Sequence, residues 1–165
     1  MNKLAATNLL SIPDPILTRI FNAPRALVWK AWTDPKLVAE WWGPQEFTNP
    51  RCEWDARPGG KILVHMHGPK GSIFDFDMPM NGVFHEVVSP RKLVFTSRAL
   101  QDANGNDQLE TLVTISLDEI GGKTKLTLHV IVIKSSTAVA GAFAGMEQGW
   151  SQSFEKLIDL LEEIA

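Results

Sequence analysis

Two histidines and two aspartates stand close together in mid-chain at strand spacing: His65 and His67, then Asp75 and Asp77. Imidazole and carboxylate are both metal ligands and both acid–base groups, so this set is the first place to look for chemistry. Alternate residues of a strand share a face. If the flanking segments pair as a hairpin, His65 faces Asp75 on its outward side, with His67 and Asp77 beside them. A solvated cross-strand pairing satisfies the same pattern without a metal, and no metal or cofactor is expected. The other reactive groups are dispersed. His85 and His129 have no evident partners and default to surface or satisfied core positions. Cys52 is the only cysteine, which excludes an intrachain disulfide and gives no basis for a zinc cluster. On a strand it reads as a small apolar residue. Asp55 and Arg57 flank a turn and are expected to support it. Serine–histidine–aspartate catalysis needs a nucleophile on a defined turn, and the sequence presents none. There is no Tyr to act as a phenolic acid. The modest polar candidates for an interior site are Ser97, Thr111, Ser153 and Glu86.

These residues must be positioned by a fold of ordinary composition. The chain has 165 residues, 44% hydrophobic and 21% charged, with a net charge of −3. It is read as one domain over 1–165, with 1–13 a loosely ordered N-terminal extension. The charge gives no basic footprint for nucleic acid. No apolar run reaches membrane-spanning length, and no signal peptide is read, so the cytoplasm is the default location. Six Trp are available to wall a pocket or fill a core.

Periodicity orders the elements. Ile16 to Phe21 predicts a strand. Pro24 opens a short helix carrying Val28, Trp29 and Trp32, and Asp34-Pro35 caps a second with Leu37, Val38 and Trp41. About six strands follow. Cys52, Trp54 and Ala56 alternate with Glu53, Asp55 and Arg57. Ile62–His67 and Ile73–Met78 are expected as a hairpin across Gly68–Gly71. Gly82–Val88, Lys92–Arg98, Leu109–Leu117 and Lys123–Ile133 complete the set, with turns at Ser89-Pro90 and Glu119–Gly122. Tight turns imply antiparallel pairing. Ser135, Ser136 and Thr137 can cap a long final helix. Its apolar stripe runs through Val139, Phe143, Met146, Trp150, Leu157, Leu161 and Ile164. Such a helix must lay that stripe on the sheet.

Alternation then names an inner face. Ile62, Val64 and Met66 point inward, and so do Phe74, Phe76 and Met78 across the hairpin. Val113, Ile115 and Leu117, with Leu126, Leu128 and Val130, extend it, and Trp54 and Phe95 join it. Phe143, Met146 and Trp150 look back from the helix. These residues either fill a solid core or leave a cavity where a curved sheet cannot touch a straight helix. The cavity-lining set under the second reading is Trp54, Met66, Phe74, Phe76, Met78, Phe95, Val113, Phe143, Met146 and Trp150. Gly141, Gly145 and Gly149 recur every four residues, each costing about 1 kcal/mol against Ala in a helix. They form either a mobile gate or, the simpler reading, a stretch not yet helical before Met146 or closely packed by another element.

Ordered motifs carry a resemblance. They are Asn22-Ala23-Pro24 with Val28-Trp29, Ala31-Trp32-Thr33-Asp34-Pro35, Trp41-Trp42-Gly43-Pro44 and Asp55-Ala56-Arg57-Pro58-Gly59-Gly60. Then come Gly82 with Glu86-Val87-Val88, Leu93-Val94-Phe95-Thr96 and Gly145-Met146-Glu147-Gln148-Gly149-Trp150. From about Thr18 to about Leu161 the chain resembles the family related to the activator of Hsp90 ATPase (AHSA1-type), in the START-like or Bet v 1-like (SRPBCC) superfamily. The resemblance implies an α+β helix-grip fold: a curved antiparallel sheet around the C-terminal helix, with two short helices after strand 1. It implies no catalytic residues. Its superfamily includes lipid carriers, hormone binders and polyketide cyclases.

The expected function is binding of a small hydrophobic or aromatic molecule in the cavity, with no nucleic-acid partner and no membrane insertion. The alternatives are a cyclase- or hydrolase-type enzyme using that cavity, and a co-chaperone-like protein-interaction domain. The balance is against an enzyme, and a homodimer stays open. A buried ionised group in the cavity would favour the enzyme, and an exposed apolar patch the interaction domain.

Overall fold

The computed structural model describes residues 16–136 and 140–165, with the backbone alone for 140–145. The elements are β1 (Ile16–Phe21), α1 (Arg25–Thr33), α2 (Pro35–Trp41), β2 (Thr48–Trp54), β3 (Lys61–His67), β4 (Asp77–Val88), β5 (Lys92–Gln101), β6 (Asp107–Ile120), β7 (Lys123–Ser135) and α3 (Ala140–Ile164). The extension expected over 1–13 lies outside the described residues, as do Thr137, Val139 and the side chain of Phe143. No helix among the described residues is long and apolar enough to cross a membrane.

The strands form one antiparallel sheet in the order β1-β7-β6-β5-β4-β3-β2. Short connections make β2 to β7 pair with their neighbours in sequence. β1 instead joins β7, so β1 and β2 are opposite edges. The helices α1 and α2 carry the chain between those edges and close one end of the sheet. Asp34 stops one helix and starts the next: its Oδ1 accepts the Lys36 N–H at 2.9 Å, with Pro35 in the first turn. Pro24 is the N-cap of α1 rather than its first residue, because its ψ of 151° is extended. This is the helix-grip fold, with α3 laid across the concave face.

Curvature has local causes. The β4–β5 register shifts between Phe84 and Glu86, and the β6–β7 register between Glu110 and Thr111; such bulges bend a strand. At Gly82 a Cβ would meet the Thr96 carbonyl oxygen at 1.8 Å, so only glycine lets β4 and β5 approach this closely.

Three expectations are corrected. The β3–β4 connection is not a four-residue turn: β4 begins only at Asp77 and runs unbroken through Pro79 to Val88. His65 pairs with Pro79 instead of Asp75, a slide of four residues (79 − 75). At Pro79 the strand is flanked by β3 alone, since pairing with β5 starts at Asn81; strand prolines are found at such edges. Next, α3 is helical from Ala140, ahead of Met146. Extending an anchored helix adds a hydrogen bond for each residue fixed, which offsets the glycine penalty. Lastly, Ser135 ends β7 and the Ser136 hydroxyl bonds Gln108 Oε1 at 2.8 Å, so the sheet uses the serines expected to cap α3.

Candidate functional site

Along α3, Trp150 divides a packed region from an open one. It stacks on Trp32 with centroids 6.3 Å apart and meets Trp42 edge-on at 5.3 Å. On the C-terminal side Phe154 is fully buried against Phe21 and Trp32. On the N-terminal side the helix and sheet separate around a cleft of about 220 Å³, partly open to solvent. The floor is the sheet, with Met66 from β3, Met78 and Met80 from β4, Ser97 and Ala99 from β5, and Thr111 and Val113 from β6. The roof is Met146, Gly149, Trp150 and Ser153, and one wall is Trp42-Gly43-Pro44.

That wall is tied to the helix by polar contacts. Ser153 Oγ donates to the Gly43 and Gly149 carbonyls at 3.0 and 3.1 Å. The Gln45 N–H donates to Gln152 Oε1 at 3.0 Å. Lys156 Nζ reaches the carbonyls of Trp42, Gly43, Pro44 and Phe47 at 3.2–3.4 Å. Burial holds the Lys156 ammonium below its ordinary pKa, and Glu40 partly opposes this. Gly43 has a φ of +93°, and a Cβ there would meet Met66 Sδ at 2.6 Å, so the wall needs glycine at that turn.

Among the described residues no charged side chain and no histidine or cysteine lines the cleft. Apart from the indole N–H groups of Trp42 and Trp150, its polar side chains are the hydroxyls of Ser97, Thr111 and Ser153. Glu86, the fourth polar candidate, instead pairs with Lys92 at 3.1 Å outside the cleft. Gly149 has no atom within 4 Å of a built Cβ, so open space, not close packing, lies beside it.

Of the residues expected to line a cavity, Met66, Met78, Val113, Met146 and Trp150 stand on this cleft. Trp54 and Phe95 do not. They are buried behind Trp42, with centroids 5.1 and 6.4 Å from it, and the Trp54 Nε1–H bonds the Trp32 carbonyl at 2.7 Å. Phe74 and Phe76 are corrected outright: they are 45% and 52% exposed. They precede β4, so strand alternation does not apply to them. The sequence reading missed Trp42, which lies just past the α2 stripe where periodicity ends, and Met80, whose alternation with Met78 was masked by Pro79.

The histidine–aspartate set lies outside the cleft and fastens the loop that carries those phenylalanines. His67 Nδ1 is 2.6 Å from Asp77 Oδ1, and its Nε2 is 2.7 Å from Asp75 Oδ1. Asp75 also accepts the Gly71 N–H at 2.9 Å. His65 is more distant, 3.6 Å from Asp77. The hydrogen bonds to Asp77 and Asp75 raise the His67 pKa above its ordinary value. The Gly71 N–H and His67 lower that of Asp75, and His67 lowers that of Asp77. Among the described residues no group of three or more His, Cys, Asp or Glu is arranged to hold a metal ion. Burial pushes the Cys52 thiol up to about 11, which leaves it protonated near neutral pH.

The model of the family described as Activator of Hsp90 ATPase homolog 1-like protein matches residues 22–162. Several solved structures share the fold. An AHSA1 protein from Silicibacter pomeroyi is 21% identical over 93% of this chain and 100% of its own, with a TM-score of 0.76. A protein from Chromobacterium violaceum is 25% identical over 90% and 96%, with a TM-score of 0.75. One from Rhodobacter sphaeroides is 23% identical over 94% and 96%, with a TM-score of 0.74. No curated protein matches the chain. The family match runs from the turn after β1 into the last turn of α3, and on that ground the chain belongs to the Activator of Hsp90 ATPase homolog 1-like family.

Proposed function

We infer that the protein binds a small hydrophobic or aromatic molecule in the cleft between the sheet and α3. One observation carries this reading: a cleft of about 220 Å³ walled by Met, Trp, Val, Ala and Leu, with no charged group among its described lining residues. Its size lies between a dry engineered cavity of about 150 Å³ that takes benzene and the roughly 300–1,000 Å³ of drug-sized sites. Met66, Met78, Val113, Met146 and Trp150 are the contacts proposed for the ligand. Acid–base catalysis needs a titratable group at the reacting atoms, and the lining supplies only hydroxyls and indole N–H groups. That favours binding over the cyclase or hydrolase alternative.

The interaction-domain alternative has its own support. Ile73, Phe74 and Phe76 expose apolar surface together on the β3–β4 loop, as docking surfaces do.

An environment-sensitive apolar dye tests the binding reading. It should bind the native protein at one saturable site, and native mass spectrometry should show one dye per chain together with the oligomeric state. A native protein that leaves the dye unbound removes the binding reading in favour of the interaction domain.

A further inference from the structure

The cleft has one polar feature that the fold itself does not use. Ser97 and Thr111 are register partners across β5 and β6, and both line the cleft. Thr111 is only 6% exposed. Neither hydroxyl bonds another group among the described residues, whereas the Ser153 proton is committed to backbone carbonyls. Each free hydroxyl offers one donor and two acceptor lone pairs. Water reaches these hydroxyls in the partly open cleft, so a molecule that displaces it must supply hydrogen-bond partners of its own. Around the pair stand methionine sulfurs and the rings of Trp42 and Trp150, surroundings that favour an aromatic ring. An ionised ligand would meet no opposite charge in the lining.

We propose that the cleft takes a neutral aromatic molecule of one or two rings bearing a single hydroxyl or carbonyl oxygen, which the Ser97–Thr111 pair holds. This rests on the binding reading above and adds the ligand's class and orientation. A phenol suits the pair: it donates to one hydroxyl and accepts from the other, with its ring on the methionines.

The probes are naphthalene, 2-naphthol and 2-naphthoate, titrated at neutral pH into the parent protein, Ser97→Ala and Thr111→Val. 2-Naphthol should bind the parent about tenfold tighter than naphthalene, the size of one to two neutral hydrogen bonds. 2-Naphthoate should bind more weakly than either. Each substitution should cut the naphthol advantage severalfold and leave naphthalene affinity unchanged. Thr111→Val is nearly isosteric and breaks no bond within the protein, so it keeps the comparison valid if Ser97→Ala perturbs folding. A naphthol affinity equal to that of naphthalene, or an advantage that survives both substitutions, overturns the proposal and leaves the binding reading standing. Loss of naphthalene binding in both variants also overturns it, since hydroxyls that only orient a ligand leave ring burial intact. If the parent binds none of the three probes, the binding reading itself fails.

Discussion

Compare the two halves of α3 on either side of Trp150. From Phe154 to Leu161 the helix is packed tight: Phe154 and Leu157 are fully buried, Leu161 nearly so. Phe21 and Trp32 reach this half from β1 and α1, and Trp41 of α2 packs on Trp32 behind it. From Met146 to Trp150 the same helix faces the same sheet across a cleft. Hydrophobicity is not what differs, because both interfaces are apolar. Side-chain size is. Here the sheet offers Ser97, Ala99, Thr111 and Val113, the helix offers Gly149, and the short helices contribute only the wall after α2. Large rings from four elements converge at one end, whereas at the other Ser97, Ala99, Thr111, Val113 and Gly149 stand in the middle of a rim of methionines and two tryptophans. A void therefore follows from where the small residues meet, not from a lack of apolar ones.

Breaking the packed half should have the largest effect. Phe154→Ala removes a ring in contact with Phe21, Trp32 and Trp150, and should cost about 3–5 kcal/mol in denaturant unfolding. A loss below about 1 kcal/mol would mean that this half is as loose as the other.

A matched pair of insertions sharpens the contrast. Val113 and Ile115, two residues apart on the same face of β6, are both 1% exposed, but only Val113 borders the cleft. Ile115→Trp overpacks a filled region and should cost about 1–3 kcal/mol or more. Val113→Trp should change stability by less than about 1 kcal/mol and block the dye site. Equal destabilisation by the two, measured by thermal melts, would erase the distinction between hollow and solid.

The smallest effect concerns the loop beside the cleft. The folded pKa of His67 is raised, so its stabilising contribution is complete below its unfolded pKa and is lost as pH rises through the folded value. Asp75 and Asp77 are lowered, so theirs is complete above the carboxylate unfolded value and lost as pH falls through the folded ones. The latch is therefore fullest between about pH 4 and about pH 6.5. All three groups are exposed, and the change in global stability should be slight. Ring-proton NMR should place the His67 midpoint above the ordinary value, and Asp77→Asn should bring it back down. An unshifted midpoint in the parent would show that the loop is not latched.

Sequence patterning was sufficient for much of this molecule. The strand alternation 62-64-66 and 113-115-117, the Asp34-Pro35 cap and the stripe through Leu157 and Leu161 each follow from local periodicity and sterics. They recur in place, with the predicted inner face, although the β3–β4 register differs from the one expected. The slide of β4 by four residues kept Met78 inward because an even shift preserves alternation. It moved Phe74 and Phe76 out of the strand, because His67 binds Asp75 and Asp77 in a way no periodic pattern encodes.

The amino-acid order alone determined which residues are apolar, which alternate and which can cap, and with the ordered motifs it determined the helix-grip fold. Only the tertiary structure decided that Trp42, and not Trp54 or Phe95, walls the cleft, and that two hydroxyl-bearing register partners, Ser97 and Thr111, both line it. Propensity and period act over a few neighbouring residues, whereas a cavity is the difference between volumes brought together from β3, β4, β5, β6 and α3. That difference depends on how far a bulged sheet curves away from a straight helix, and it exists only once all of them are packed.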